Sequence, residues 1–277
     1  MLRSILVGLD GSEYSQSAVE LAIRWAKKYN CLLAAIGVVD EPNIRAGDAV
    51  PLGGSYFQQR KEEFHFKHAR AQVEHFLDRF AKECTQAGVS YKLLEEVGSP
   101  YEQIDQEAQR YDLIFLGQHT NFSFETQATA CETLFSVLKD SPRPVVTVPI
   151  RLGAEGPILI AYDESLQAAR TLQAFVGLGL DTSAGVHVAS IHSDHVEAAR
   201  RAHRAIEYLM AHDIKATAKS IPTDGNVADV LLKQADEMRA GMIVLGAFGQ
   251  PRWREFFFGS ATQDILKRSQ VPLFLYH

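Results

Sequence analysis

Apolar positions along the chain fall into two alternating patterns. Short runs such as "ILVGL", "LLAAIGVV" and "LIFLG" are nearly continuous in hydrophobicity and rich in branched residues. They read as β-strands buried on both faces. Between them, apolar residues recur every three or four positions: Ala18, Leu21, Ala22 and Trp25, then Val73, Phe76, Leu77, Phe80 and Cys84. That spacing predicts helices with one buried stripe. "YKLLEEV" is a third strand, Ile104 and Ala108 mark a helix, and a helix near 130–139 precedes a final strand "PVVTVP". The series then begins again. "ILIAY", a helix over 166–178, "GVHVASI", a helix striped by Ala199, Ala202, Ile206 and Leu209, and "ATAKSI" follow in order. A helix with Ala228, Leu231, Leu232 and Ala235, then "MIVLG", a helix over 260–269 and "PLFLY" close the chain. Strand–helix alternation of this kind predicts parallel sheets covered on both faces, doubly wound by right-handed crossovers.

The repetition is visible in the letters. "SILVGLDGS" at 4–12 matches "PILIAYDES" at 157–165, which sets Asp10 against Asp163 at an offset of 153. "DLIFLG" at 112–117 matches "GMIVLG" at 241–246 at an offset of 129. The offset drops by 24, so the first half carries about that many extra residues. The Gly- and Pro-rich stretch at 41–57 is the natural place for much of the excess. Two domains follow, 1–150 and 151–277, joined near "PIRLGAEGP".

Composition narrows the chemistry. The chain has 277 residues and a net charge of −6, which gives no electrostatic reason to bind nucleic acid. No apolar run approaches the ~20 residues of a membrane helix, and the N-terminus lacks a signal-peptide layout. Three cysteines in no paired spacing suit a reduced, cytoplasmic setting, and none is given a catalytic role. "HSDH" at 192–195 is too short a spacing for a complete metal site.

The candidate chemistry lies in "GAFGQPRWREFFFGS", residues 246–260. In open α/β sheets, ligands bind beyond the carboxyl ends of the strands. Gly246 ends a predicted strand there, and Gly246 and Gly249 allow close backbone approach. Gly259 and Ser260 open a helix whose free N–H groups favour an anion. Arg252 and Arg254 are candidate phosphate partners or ordinary solvated charges, and Phe256, Phe257 and Phe258 read as packing.

The spacing G-2x-G-9x-G-S after a strand resembles the ATP-binding motif of the universal stress protein family. "VGLDGSEYSQSAVELA" at 7–22 is similar to that family's opening, and "GSATQDILKRSQVPLFLY" to its closing helix and strand. The resemblance spans both halves, as in a tandem member. It implies a five-stranded Rossmann-like sheet per half, order 3-2-1-4-5, and dimer-like packing of the halves through their last strands. It also implies that Asp163 lies near ribose and metal, and that a backbone group near Ile191 contacts adenine. Gly246, Gly249, Gly259, Ser260 and the Ala261 N–H would hold ribose and phosphates. The ligand would be ATP, ADP or AMP, with magnesium or manganese held mainly by phosphate oxygens. The first half keeps Asp10 and Val38 but has Thr120, Cys131 and Glu132 where the cradle should be. A glutamate there repels a polyanion. One nucleotide per chain is expected, in the second half.

Three functions fit this reading. The first is a cytoplasmic stress or regulatory protein that signals by nucleotide occupancy, with a homodimer and an unnamed protein partner left open. The second is a slow metal-dependent ATPase, although the sequence has neither a G-x-x-x-x-G-K-[ST] loop nor a recognisable catalytic set. The third is a nucleotide-free interaction scaffold.

Overall fold

The computed structural model describes residues 1–46, 55–122, 132–180, 183–247 and 260–277. Two compact units emerge: Arg3–Arg143, and Met1–Leu2 together with Pro144–His277.

The first unit runs β1 (Ser4–Gly8), α1 (Glu13–Tyr29), β2 (Leu32–Val39), α2 (Glu41–Arg45), α3 (Ser55–Ala87), β3 (Tyr91–Val97), α4 (Pro100–Ala108), β4 (Leu113–Gly117) and α5 (Glu132–Asp140). Its strands are parallel, in the order β3-β2-β1-β4. Ile5 pairs with both Leu33 and Leu113, and all three are fully buried. That is why the central strands read as unbroken apolar runs. β3 lies at the edge and is largely exposed, which explains its lysine and glutamates.

The second unit runs β5 (Val145–Val148), β6 (Ile158–Ala161), α6 (Leu166–Leu178), β7 (Val186–His192), α7 (His195–Met210), β8 (Ala216–Pro222), α8 (Val227–Glu237), β9 (Met242–Gly246), α9 (Ser260–Arg268) and β10 (Leu273–Tyr276). Strand order is β5-β10-β9-β6-β7-β8. β8-β7-β6-β9-β10 is the parallel 3-2-1-4-5 order expected of the second repeat. β5, the last strand of the first repeat, pairs antiparallel with β10, Thr147 against Leu273. The fifth strand of the first repeat thus belongs to the second compact unit, and the last strands of the two repeats do pair.

One expectation is widened and another changes. The excess is shared between the connection before α3, where 40–54 spans 15 residues against the two of 193–194, and α3 itself, which has 33 residues where α7 has 16. Among the described residues that connection adds the short helix Glu41–Arg45. On α7, Ala198 is buried rather than Ala199. Ala198, Ala202, Ala205 and Leu209 form the continuous stripe, and Ala199 is turned about 100° away.

Candidate functional site

β7, β6 and β9 are adjacent and parallel, so their carboxyl ends share one edge. Asp163, Ile191 and Gly246 all sit at that edge. α9 connects β9 to the parallel neighbour β10, so it starts on the same side, with Ser260 as its first residue and half-buried Ala261 as its second. Its first N–H groups have no helical partner, which suits an anion. Gly249, Arg252, Arg254, Phe256 to Phe258 and Gly259 lie outside the described residues.

Local sequence explains the turn that carries Asp163. Tyr162 donates its N–H to the Ala189 carbonyl at 2.9 Å, which prolongs the β6 pairing by one residue. Asp163 is exposed, and its Oδ1 accepts the Ser165 N–H at 2.9 Å. Ser165, not Asp163, caps α6, since its Oγ accepts the Ala168 N–H at 3.1 Å. Between them Glu164 is left-handed, with φ 64°. Gly246 owes its identity to the same helix. A Cβ there would lie 2.6 Å from the Ala168 nitrogen and 2.7 Å from the Gln167 carbonyl carbon. Gly117 meets the start of α1 likewise, with Tyr14 Cβ at 2.7 Å. Ile191 is half-buried in β7 and pairs with Ile221 of β8.

A charged network flanks Asp163. Glu164 accepts from Arg200 through both oxygens, at 3.1 and 2.5 Å, and from Arg204 at 2.8 Å. Arg201 stands 3.9 Å away and is itself held by Glu197 at 3.0 Å. The hydrogen bonds from Arg200 hold the Glu164 carboxyl below its usual range. Arg200 and Arg201 together bring Glu197 down to about 2. The "HSDH" segment proves to be a helix start: the Asp194 N–H donates to His192 Nδ1 at 3.0 Å, and the Asp194 carboxylate caps α7. Among the described residues no group of three or more histidine, cysteine or acidic side chains is placed to hold a metal.

At the first unit's edge the chain closes on itself. Asp10 is 6% exposed. Its Oδ1 accepts from the Ser12 N–H and hydroxyl at 2.9 and 2.7 Å, and its Oδ2 accepts the Asn121 N–H at 2.6 Å. Burial pushes the Asp10 carboxyl up, and these hydrogen bonds oppose the shift. Thr120 is buried and donates to the Gly117 carbonyl at 2.8 Å. Phe122 is 1% exposed, and a Cβ on Gly8 would come within 3.1 Å of its ring. Val38 is fully buried. Glu132 opens α5, and Cys131 lies outside the described residues.

The repeated halves have counterparts among known proteins. The model of the universal stress protein family matches residues 1–149 and again 156–277. The chain belongs to the universal stress protein family. A universal stress protein of Synechocystis sp. strain PCC 6803 is 21% identical over 285 residues, spanning 98% of this chain and 99% of that one. The solved structure of a universal stress protein from Archaeoglobus fulgidus DSM 4304 has a TM-score of 0.69 at 20% identity, covering 99% of this chain and 97% of that one. A structure from Pseudomonas aeruginosa PAO1 has a TM-score of 0.62 at 16% identity, covering 99% and 92%. At these identities the likeness is one of fold.

Within this universal stress protein, sequence reasoning missed the glutamate–arginine network. The signal was available: the offset of 153 that aligns Asp10 with Asp163 also aligns Gly11 with Glu164. It missed the role of Asn121 too, because a backbone donor leaves no mark on the side-chain pattern.

Proposed function

We propose that this tandem universal stress protein binds one adenine nucleotide, ATP or its ADP or AMP relative, at the carboxyl edge of the second unit. Its occupancy, rather than fast turnover, is the signal. The observation that carries this reading is the contrast between the two aspartates. Asp163 is exposed at the strand end, whereas Asp10 is buried and answered by Asn121. In this reading Asp163 meets ribose and metal, the backbone near Ile191 meets adenine, and Gly246, Gly249, Gly259 and Ser260 shape the cradle. The Ala261 N–H and Arg252 meet phosphate. An exposed carboxylate beside a helix N-terminus suits a magnesium- or manganese-bearing polyphosphate. The metal would neutralise phosphate charge while Asp163 orients it.

The cytoplasm is the proposed setting. No helix among the described residues is long and apolar enough to cross a membrane. The test is mass analysis of nucleotide released from the purified protein, followed by titration of the emptied protein with MgATP. An adenine nucleotide is expected, and Asp163→Ala should weaken binding by about tenfold or more, the size of one lost charge-assisted contact. Protein that carries and binds no nucleotide would sink the proposal. Steady multiple turnovers lost in Asp163→Ala would replace it with an ATPase.

A further inference from the structure

We propose that Glu164 is a positioning residue for Asp163, acting through the arginines of α7; this rests on the nucleotide reading above. The turn that presents the aspartate requires a left-handed residue immediately after it. In the first unit that residue is Gly11, φ 77°, and the following Ser12 N–H reaches Asp10 Oδ1 at 2.9 Å. In the second unit the same turn is built with Glu164, φ 64°, and the Ser165 N–H reaches Asp163 Oδ1 at 2.9 Å. Glycine adopts this conformation freely, whereas a residue with a Cβ does so at a cost.

The facing helices differ in step. α3 lays Phe76 over the first turn, and a Cβ on Gly11 would come within 2.2 Å of its ring. α7 instead offers Arg200 and Arg204, which grip both oxygens of Glu164. Glycine under phenylalanine in one repeat has become glutamate under arginines in the other. The ion pairs hold the glutamate in a conformation its backbone would otherwise leave. They thereby fix the Asp163 carboxylate on the edge and tie its orientation to α7.

This makes the arginines matter only when residue 164 has a side chain to hold. Glu164→Ala should weaken MgATP binding about tenfold, and Glu164→Gly should restore it to within about twofold of the native protein. Arg200→Ala with Arg204→Ala should weaken binding about tenfold in the native background and by less than about twofold in the Glu164→Gly background. Thermal unfolding of the native protein, Glu164→Gly, the arginine pair and their combination should follow the same pattern of non-additivity. If the arginine substitutions are equally damaging in both backgrounds, the arginines act on the nucleotide or the fold directly and the proposal falls. It also falls if Glu164→Ala binds and melts like the native protein. The native titration decides the nucleotide reading by itself. The melting cycle decides the role of Glu164 even where that reading fails.

Discussion

At the residue scale, the informative positions are those where packing and chemistry compete for one side chain. Gly246 was legible as a strand-end glycine, and its neighbours include the first turn of α6, 2.6 Å from where a Cβ would stand. The clash is with backbone, which does not yield cheaply. Gly246→Val should therefore lower the thermal midpoint by several degrees in ligand-free protein, as scanning calorimetry would show. An unchanged midpoint would leave ligand approach as the glycine's main reason. The cysteines follow a simpler rule. Burial pushes the Cys31 thiol up to about 11 and the Cys84 thiol up to about 12, so neither offers appreciable thiolate near neutrality. Iodoacetamide at pH 7.5 should leave both unlabelled in native protein and modify both in urea, as peptide mass mapping would reveal. Glu164 escaped the sequence reading because helical and strand periodicities carry no signal for a left-handed turn in a residue other than glycine.

At the scale of elements, the strands were the most legible, because a strand covered on both faces must be apolar throughout. The central strands β1, β4, β6 and β9 stand where the apolar runs predict. The helices were legible as stripes but less so in length and rotation. α3 extends toward its N-terminus through charged, mostly exposed turns that carry no stripe. On α7, Ala202, Ile206 and Leu209 are buried as the stripe predicts, and only Ala199 gives way to its neighbour Ala198, whose side chain is equally apolar. The start of α6 depends on Ser165, and Ser165→Ala should cost about 1 kcal/mol of stability, measurable by urea unfolding. α7 carries a pH signature. Glu197 lies at about 2 in the folded protein, and Glu164 is also lowered. A carboxyl depressed by folding stabilises above its unfolded pKa and loses that contribution as pH falls through the folded value. The second unit should therefore lose stability between about pH 4.5 and about pH 2, and less so in Glu197→Gln or in high salt, where exposed pairs are screened. Equal acid sensitivity of native and Glu197→Gln protein would remove the network from the account.

At the scale of the whole molecule, the tandem repeat was readable from the letters alone, since the matched segments fall in one order twice, whereas the strand order 3-2-1-4-5 was what the family resemblance implied. The family matches end at 149 and resume at 156, while the compact units divide at Arg143 and Pro144. The difference is β5, whose partner is β10, a pairing of last strands that the family resemblance implied. The asymmetry between the two edges was half legible. The letters show Thr120, Cys131 and Glu132 where the second repeat's motif has other residues, but not the backbone bond from Asn121 to Asp10. The central claim is that one edge binds and the other is closed, and calorimetric titration of nucleotide-free protein with MgATP tests it most directly. The account predicts a stoichiometry of about one per chain, abolished by replacing Gly259 with tryptophan in protein that still folds. Two equal sites, or binding unchanged in that variant, would contradict it.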